Sequence, residues 1–395
     1  MRHGIVTLFT ASLLGFGVGA AAAEIDVMVQ NQYLGSDLTP VITAPPDQVN
    51  ARVVATLENI AASLPAERLA RLAKLVRERT PHVLALNEAF EYSCQNLFPA
   101  STPATEGCGN QRIKGAFVDF LGTTQAELGG AYVTTARVQN FSVPALPFQI
   151  DSYWAVLTVR DRDVILVRSD VAGTAAATPL ALSGCRASLE GCNYFPTPFT
   201  IQTALGPIAI ERGFVAVDLE VAGQPYRVFA THLEVGQLVP GPAGEPTRVL
   251  QRLQAAQLVG TALAFPREAE RTVLILGDIN SDPRDDPTPL PSPIGPLPTP
   301  YALIAGSGFS DVWTLRPGSL QGAGRVTGMT CCQDEDLANH KSALSERIDM
   351  IFSLAPPAQV RQARVLGDSV SEKTWPPGLG LWPSDHGSVA AKLRY

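Results

Sequence analysis

Several apolar runs in this chain end on a side chain that can bind a cation or move a proton. Glu88 closes Val83-Leu84-Ala85-Leu86-Asn87. A carboxylate at the mouth of a buried strand costs free energy unless something pairs with it, and a hard divalent cation is one such partner. A helix cap or an ordinary ion pair is the other reading. Asp278 and Asn280 follow Val273-Leu274-Ile275-Leu276-Gly277 with one apolar residue between them. Extended chain places both on one side, an acceptor for a proton or metal beside a donor for a phosphate oxygen. The same residues also spell a turn. His232 lies in Val228-Phe-Ala-Thr-His-Leu, where a satisfied core histidine competes with an acid–base group. Asp385-His386 precedes the last apolar run. Asp349, in Arg347-Ile348-Asp349, either holds His386 in one tautomer or pairs with Arg347.

Positioning such groups requires strands that end together. Residues 25–31 and 82–86 read as strands, the second buried throughout. Between them, Asp47 is expected to cap a helix with Val49, Val53, Leu57, Ile60 and Leu64 on one face. Pro65 starts a second helix that buries Leu69, Leu72, Leu75 and Val76 and stops at Thr80-Pro81. A polar loop at 91–112 is bracketed by Cys94 and Cys108. Short strands are expected near 131–138, 153–159 and 163–168. Two more, at 207–221 and 225–233, turn at Gly223-Gln224. A helix over 247–264, an apolar strand at 273–276 and closing strands at 347–353 and 387–394 complete the pattern. The Pro-rich run 283–300 reads as a surface loop, because the chemistry-bearing residues continue after it. Helices interleaved with strands describe a layered α/β or α+β domain with a site at one sheet edge.

Composition narrows the classes. At 46% hydrophobic and 17% charged, the 395 residues are neither disordered nor fibrous. The formal net charge of -7 argues against a long nucleic-acid footprint, and there is no basic run. Residues 1–23 have a short positive start, an apolar stretch and a run of small residues ending at Ala23, the pattern of a cleaved export signal. That leaves 24–395 as the mature domain, secreted or periplasmic, with no later stretch long enough to span a bilayer. Six cysteines fit such a compartment. Local pairing of Cys94 with Cys108 and Cys185 with Cys192 is the simplest arrangement, and adjacent Cys331 and Cys332 either join or stay reduced.

Taken in order, these pieces resemble the endonuclease/exonuclease/phosphatase superfamily, which includes pancreatic-type deoxyribonucleases, apurinic endonucleases, bacterial sphingomyelinases and inositol-polyphosphate phosphatases. The resemblance is carried by Asn31, by Glu88 in LALNEAF where the family usually shows Gln-Glu, and by Glu211-Arg212-Gly213-Phe214. It continues through Thr231-His232-Leu233, Gly277-Asp278-Ile279-Asn280, Arg347-Ile348-Asp349 and Ser384-Asp385-His386. It implies a four-layered sandwich of two packed mixed β-sheets flanked by helices. It implies Mg²⁺, with Mn²⁺ or Ca²⁺ as alternatives, held by Glu88 with Asn31 and Asp385. It implies that His232, Asn280 and His386 surround a scissile phosphate, that Asp278 orients or deprotonates water, that Asp349 polarises His386, and that Arg212 contacts phosphate. The expected activity is metal-dependent phosphoester hydrolysis by a monomer, on a phospholipid, nucleic acid or small organophosphate. A secreted binding protein on the same scaffold is the alternative. The loops at 94–108, 283–300 and 331–332 lie outside the pattern. So does Trp375–Trp382, whose aromatic residues either pack as a lid, meet a lipid headgroup layer or stack on a base.

Overall fold

The computed structural model describes residues 23–99, 101–180, 184–195, 199–203, 206–236, 245–264, 271–318, 327–376 and 380–395. The expected export signal lies outside them, apart from Ala23. In chain order the strands of the first half are β1 (Glu24–Asn31), β2 (Val83–Asn87), β3 (Glu91–Phe98), β4 (Tyr132–Ile150), β5 (Tyr153–Arg168), β6 (Ala176–Ala177), β7 (Arg186–Ser188) and β8 (Gly191–Asn193). There follow β9 (Phe199–Thr203), β10 (Gly206–Ile210), β11 (Gly213–Val221), β12 (Gln224–His232), β13 (Thr272–Asp278), β14 (Ser310–Asp311), β15 (Asp349–Ser353), β16 (Gln359–Leu366) and β17 (Ser388–Arg394). The helices are α1 (Thr39–Ile42), α2 (Val49–Ala62), α3 (Pro65–Arg79), α4 (Phe120–Leu128), α5 (Glu245–Ala264) and α6 (Pro300–Gly306).

Among the described residues two large mixed sheets form. One runs β16-β17-β1-β2-β5-β3, with β4 also on β5. The other runs β14-β15-β13-β12-β11-β8-β7, with β6 on β11. Period-two alternation explains how they stack. Ile25, Val27, Val29, Val83 and Ala85 of the first sheet share one buried cluster with Val215, Val217, Val228, Leu274 and Leu276 of the second. Met28, Leu84 and Leu86 point the other way, onto Val53, Leu57, Leu69 and Leu72 of α2 and α3. Phe214, Phe229 and Ile275 face Ala255, Leu258 and Ile304 of α5 and α6. The order is helices, sheet, sheet, helices, the expected four-layered sandwich. After the Pro-rich loop the chain returns to both sheets, β15 beside β13 and β17 beside β1. No helix of the described residues is long and apolar enough to cross a membrane.

Local differences from the sequence reading have physical causes. Gln48, not Asp47, occupies the N-cap of α2, with no side-chain cap bond. Leu64 leaves the helical face because it is the left-handed linker between α2 and α3, and it is exposed. The Cys-bracketed loop contains strand β3, paired along β5. The expected short strands are two long ones, β4 and β5, forming a hairpin. The charged run Arg160-Asp161-Arg162-Asp163 does not break β5, because each member has a partner. Arg160 meets Glu91 at 2.8 Å, Arg162 meets Asp119 at 2.6 Å, and Asp163 accepts from Asn87 and Asn140. The β11–β12 turn falls on Ala222-Gly223, both at positive φ. All three neighbouring cysteine pairs are disulfides, Cys94–Cys108, Cys185–Cys192 and Cys331–Cys332.

His82, just ahead of β2, accepts the backbone N–H of Asp26 on Nδ1 at 2.9 Å. Its ring therefore has to stay neutral at that nitrogen, and the Asp26 carboxylate 3.8 Å away is a neighbour rather than an ion-pair partner. Burial, reinforced by Arg168, lowers its pKa from 6.5 to about 4. Between those values the unfolded chain binds the proton and the folded one refuses it, so this site's contribution is complete above about pH 6.5 and lost as pH falls toward 4. Denaturant unfolding at pH 7.5 and pH 4.5 should show a smaller drop in H82Q than in the parent chain. Equal drops would remove His82 from the acid response.

Candidate active site

Strand register brings the chemistry-bearing residues to one level. β1 and β2 run parallel with Asn31 opposite Asn87. β12 and β13 run parallel with His232 opposite Asp278, and antiparallel β15 sets Asp349 opposite Asp278. Asp385 and His386 immediately precede β17, which lies against β1. The ends of the two sheets thus open into one cleft of about 1340 Å³ whose lining includes Glu88, Arg212, His232, Asp278, Asn280, Asp385 and His386. Two of these residues pay for their place in backbone strain. Glu88 (φ 53°) and Asn280 (φ 50°) adopt left-handed conformations, each at a cost of about 1–2 kcal/mol. Gly277 is required beside Asp278: its φ is 152°, and a Cβ there would lie 1.9 Å from the Thr231 carbonyl oxygen.

Asn31 is the hinge between the two sheets' acids. Its amide nitrogen donates to Glu88 Oε1 at 3.2 Å and to Asp278 Oδ2 at 3.1 Å, while its Oδ1 accepts from Tyr33 N at 2.9 Å. The opposite rotamer would set a carbonyl oxygen against two carboxylates, so this orientation is the one electrostatics permits. Glu88 also accepts from Leu34 N at 2.7 Å. Burial raises the Glu88 pKa, and the neighbouring Asp385 carboxylate raises it further. Asp385 is itself raised by burial, against the pull of His386 and Arg68. Two half-buried carboxylates that disfavour each other's charge form an oxygen donor set suited to a hard divalent cation rather than to a soft metal, while Asn31 turns its amide nitrogen, not its oxygen, toward Glu88.

Asp278 is buried, accepting from Asn280 N at 2.9 Å through Oδ1. Burial and the facing Asp349 push its pKa up to about 7. The two histidines are held in opposite states. Arg212 Nη1 lies 3.1 Å from His232 Nδ1, and since a guanidinium only donates, Nδ1 must accept. The remaining proton sits on Nε2, 3.5 Å from Asp278 Oδ2. Burial, then Arg212, depresses the His232 pKa well below normal. His386 Nδ1 instead donates to Asp349 Oδ2 at 2.8 Å. Burial opposes its charge, yet Asp349 and Asp385 outweigh that and raise its pKa well above normal. Asp349 does not pair with Arg347, whose guanidinium goes to Asp311 at 2.6 Å. Asn280 Nδ2 donates to the Leu233 carbonyl at 2.9 Å.

Two compact groups of potential ligand atoms occur among the described residues, Asp278–Asp349–His386 and Cys331–Cys332–His386. Neither suits a cation as it stands. The first is a hydrogen-bonded relay whose His386 nitrogen is already committed to Asp349, and the sulfurs of the second are joined to each other. Glu88 and Asp385 have the better claim.

A network of further charged groups adjoins these residues, and Asp161, Arg212 and Glu234 of it also line the cleft. Arg212 approaches Glu234 at 3.5 Å and Asp161 at 3.9 Å. Asn87 accepts from Asp278 N at 3.0 Å and donates to Asp163 Oδ1 at 2.8 Å. Burial, together with Asp161 in the case of Asp163, raises Asp161 to about 6 and Asp163 to about 8. The sequence signal for these acids was the charged run interrupting β5. Arg68 was also overlooked. It is fully buried and donates to the carbonyls of Ser63, Gln32, Pro383 and Tyr33 at 2.8–3.2 Å. Of the aromatic pair near Asp385, Trp382 is fully buried and Trp375 is 81% exposed, so packing claims one and not the other. Residues 377–379 between them lie outside the described set.

No curated protein matches the chain in sequence. In fold it is similar to a humanized D. rerio TDP2 at 15% identity, covering 94% of this chain and 99% of that one with a TM-score of 0.45. It is also similar to an endonuclease/exonuclease/phosphatase family protein from Bacteroides thetaiotaomicron at 15% identity, 95% and 99% coverage and a TM-score of 0.49. A third, from Beutenbergia cavernae, shares 20% identity over 94% of this chain and 72% of that one, with a TM-score of 0.44. The Endonuclease/Exonuclease/phosphatase family profile matches residues 50–386, a span that holds every candidate site residue except Asn31. The chain belongs to the Endonuclease/Exonuclease/phosphatase family.

Proposed function

We propose that the protein is an exported, divalent-metal-dependent phosphoesterase that breaks a phosphoester bond by attack of water. One observation carries the reading above the others: two histidines held in opposite protonation states, neutral His232 by Arg212 and charged His386 by Asp349, flank one carboxylate, Asp278, at a cleft. That is the set needed to take a proton from water and to stabilise developing negative charge on phosphoryl oxygens. Family membership supports hydrolase chemistry, and three disulfides support an oxidising compartment.

Glu88 and Asp385 would hold the metal, Mg²⁺ being the best fit, with Asn31 orienting Glu88 through its amide. A bound divalent cation supplies Lewis-acid neutralisation of charge on the phosphoryl group. The protein's own groups do the rest. Asp278 Oδ2 receives the proton of the attacking water. His232 Nε2–H and the half-buried Asn280 hold phosphoryl oxygens. His386, fixed through Nδ1 by Asp349, presents Nε2–H to the cleft and carries the charge that Asp349 stabilises. Arg212 fixes the His232 tautomer from behind. It also lines the cleft, so this positioning role is compatible with the phosphate contact that the resemblance implies.

Metal binding to these carboxylates should register without turnover. Saturating Mg²⁺, at about 100 times its Kd, should add about 2.7 kcal/mol to unfolding stability. E88Q should lose most of that increment, and an undiminished response in E88Q would place the metal elsewhere.

Turnover itself is tested with purified mature protein on a chromogenic phosphodiester, plasmid DNA and sphingomyelin vesicles, each with Mg²⁺, Mn²⁺ or chelator. Metal-dependent hydrolysis is expected. D278N and H386A should each lose at least about a hundredfold in kcat while still unfolding cooperatively. Full activity in either variant sinks the mechanism, and inactivity of the parent chain on every substrate favours a binding protein on this scaffold.

A further inference from the structure

The cleft is far larger than a phosphoryl group fills, and its two sides differ in chemistry. The side built on β11–β13 and α5 is polar and charged, with Arg212, Arg248 and Arg252 beside Glu234, Asp285 and Asp286. The side built on β3, β5 and α2 is mainly apolar, with Thr56, Ser142 and Asp161 as polar members. Its floor is Phe90, Tyr92, Leu157 and Val159, all under 10% exposed and all part of the helix-facing core. Leu34 and Val41 rise along one flank, Val143 and Leu146 along the other. These four are only partly buried, yet each packs on that same core and lines the cleft. The core therefore surfaces inside the cleft as a continuous apolar trough.

The trough begins at the candidate metal site. Leu34 donates its backbone N–H to Glu88 Oε2 at 2.7 Å while its side chain lines the trough, and its carbonyl accepts from Tyr92 Oη at 3.0 Å. Phe90, two residues beyond Glu88, stacks on Tyr92 with ring centroids 5.4 Å apart. A phosphoester seated between Glu88 and His386 would have room to lay one substituent along this surface, where a charged or heavily hydrated group would lose solvation. We propose that the substrate is an amphiphilic phosphoester, with an unbranched apolar arm lying in the trough formed by Leu34, Val41, Phe90, Val143, Leu146 and Leu157. This rests on the hydrolase reading and names the substrate class it acts on.

The test is a homologous series of p-nitrophenyl alkyl phosphates, methyl to hexyl, kept below their micellar concentrations and assayed with Mg²⁺. Burial of each methylene is worth about 0.8 kcal/mol, so kcat/KM should rise about three- to fourfold per carbon until the trough is filled. The hexyl-to-methyl ratio should fall toward one in V143D and in L146D. Calorimetric binding of the matching alkyl methylphosphonates, which need no bond broken, reads the trough separately. Turnover that is flat across the series overturns the apolar-arm assignment and leaves the hydrolase reading standing. Chain-length-dependent binding without turnover does the reverse. Neither turnover nor chain-length-dependent binding overturns both.

Discussion

Everything at this site follows from carboxylates gathered where water is scarce. Glu88, Asp278, Asp349 and Asp385 converge at the ends of two sheets, with Asp161 also lining the cleft and buried Asp163 beside it on β5. Burial raises the pKa of every one of these whose shift is resolved. A group of like charges in a low-dielectric setting is unfavourable unless cations and donors are fixed around it before it forms. The protein supplies them from several directions: His386 against Asp349, Arg212 between Asp161 and Glu234, and backbone N–H groups of Leu34 and Asn280 on Glu88 and Asp278. Among the described residues Glu88 has no ion-pair partner and Asp385 has only His386 Nε2 at 4.0 Å, which is the ground for proposing that this pair holds the metal.

Rigid framing is the counterpart of that crowding. Donors can offset buried charge only if they cannot drift, and the sandwich fixes them through parallel strand pairs whose ends coincide. Arg68 extends the frame beyond the strands. It meets no carboxylate within hydrogen-bond distance and gives its donors to carbonyls on both sides of the first sheet's edge, Gln32 and Tyr33 after β1 and Pro383 ahead of Asp385. Burial without an anionic partner lowers its pKa to about 10, so it stays charged near neutral pH and its field favours ionised Asp385. One side chain thus pins two site-bearing segments and contributes part of the missing positive charge.

The residues legible in the sequence were those that interrupt a hydrophobic pattern at a strand end, each with a structural alternative that only their joint order outweighed. Glu88, Asp278 and His232 all showed this, and the structure sets them around one cleft. The layering was legible for the same reason, because alternation along β1, β2 and β13 separates the inter-sheet face from the helix face. The hidden part is what long-range partners rescue. Arg160 to Arg162 looked like the gap between two strands, and only Glu91, Asp119, Asn87 and Asn140, distant in sequence, make the charged run through Asp163 continuous β5. Arg68 looked like one more charge on an amphipathic helix. Arg212 was expected as a phosphate contact, and its further contact with His232 depends on how β11 and β12 pair, which no local pattern states.

The segment Thr330–Gln333, which carries the adjacent Cys331 and Cys332, is part of the frame. Thr330 Oγ1 accepts the backbone N–H groups of both Ile348 and Asp349 at 3.1 Å, and the Thr330 carbonyl accepts from Gly387 N at 2.7 Å. Gln333 N donates to the Asp385 carbonyl at 2.9 Å, and Cys331 is bridged to both Glu346 and His386. Asp349 belongs to one sheet and His386 leads into the other, so this short stretch joins the two halves of the relay across the inter-sheet gap. The Cys331–Cys332 disulfide closes the chain on itself at that crossing, restricting the conformations open to the segment that must hold its carbonyls and amides in register with two strands at once. A relay whose donor and acceptor come from separate sheets depends on such a brace: without it, any sliding of one sheet over the other would be taken up in the 2.8 Å bond between His386 and Asp349.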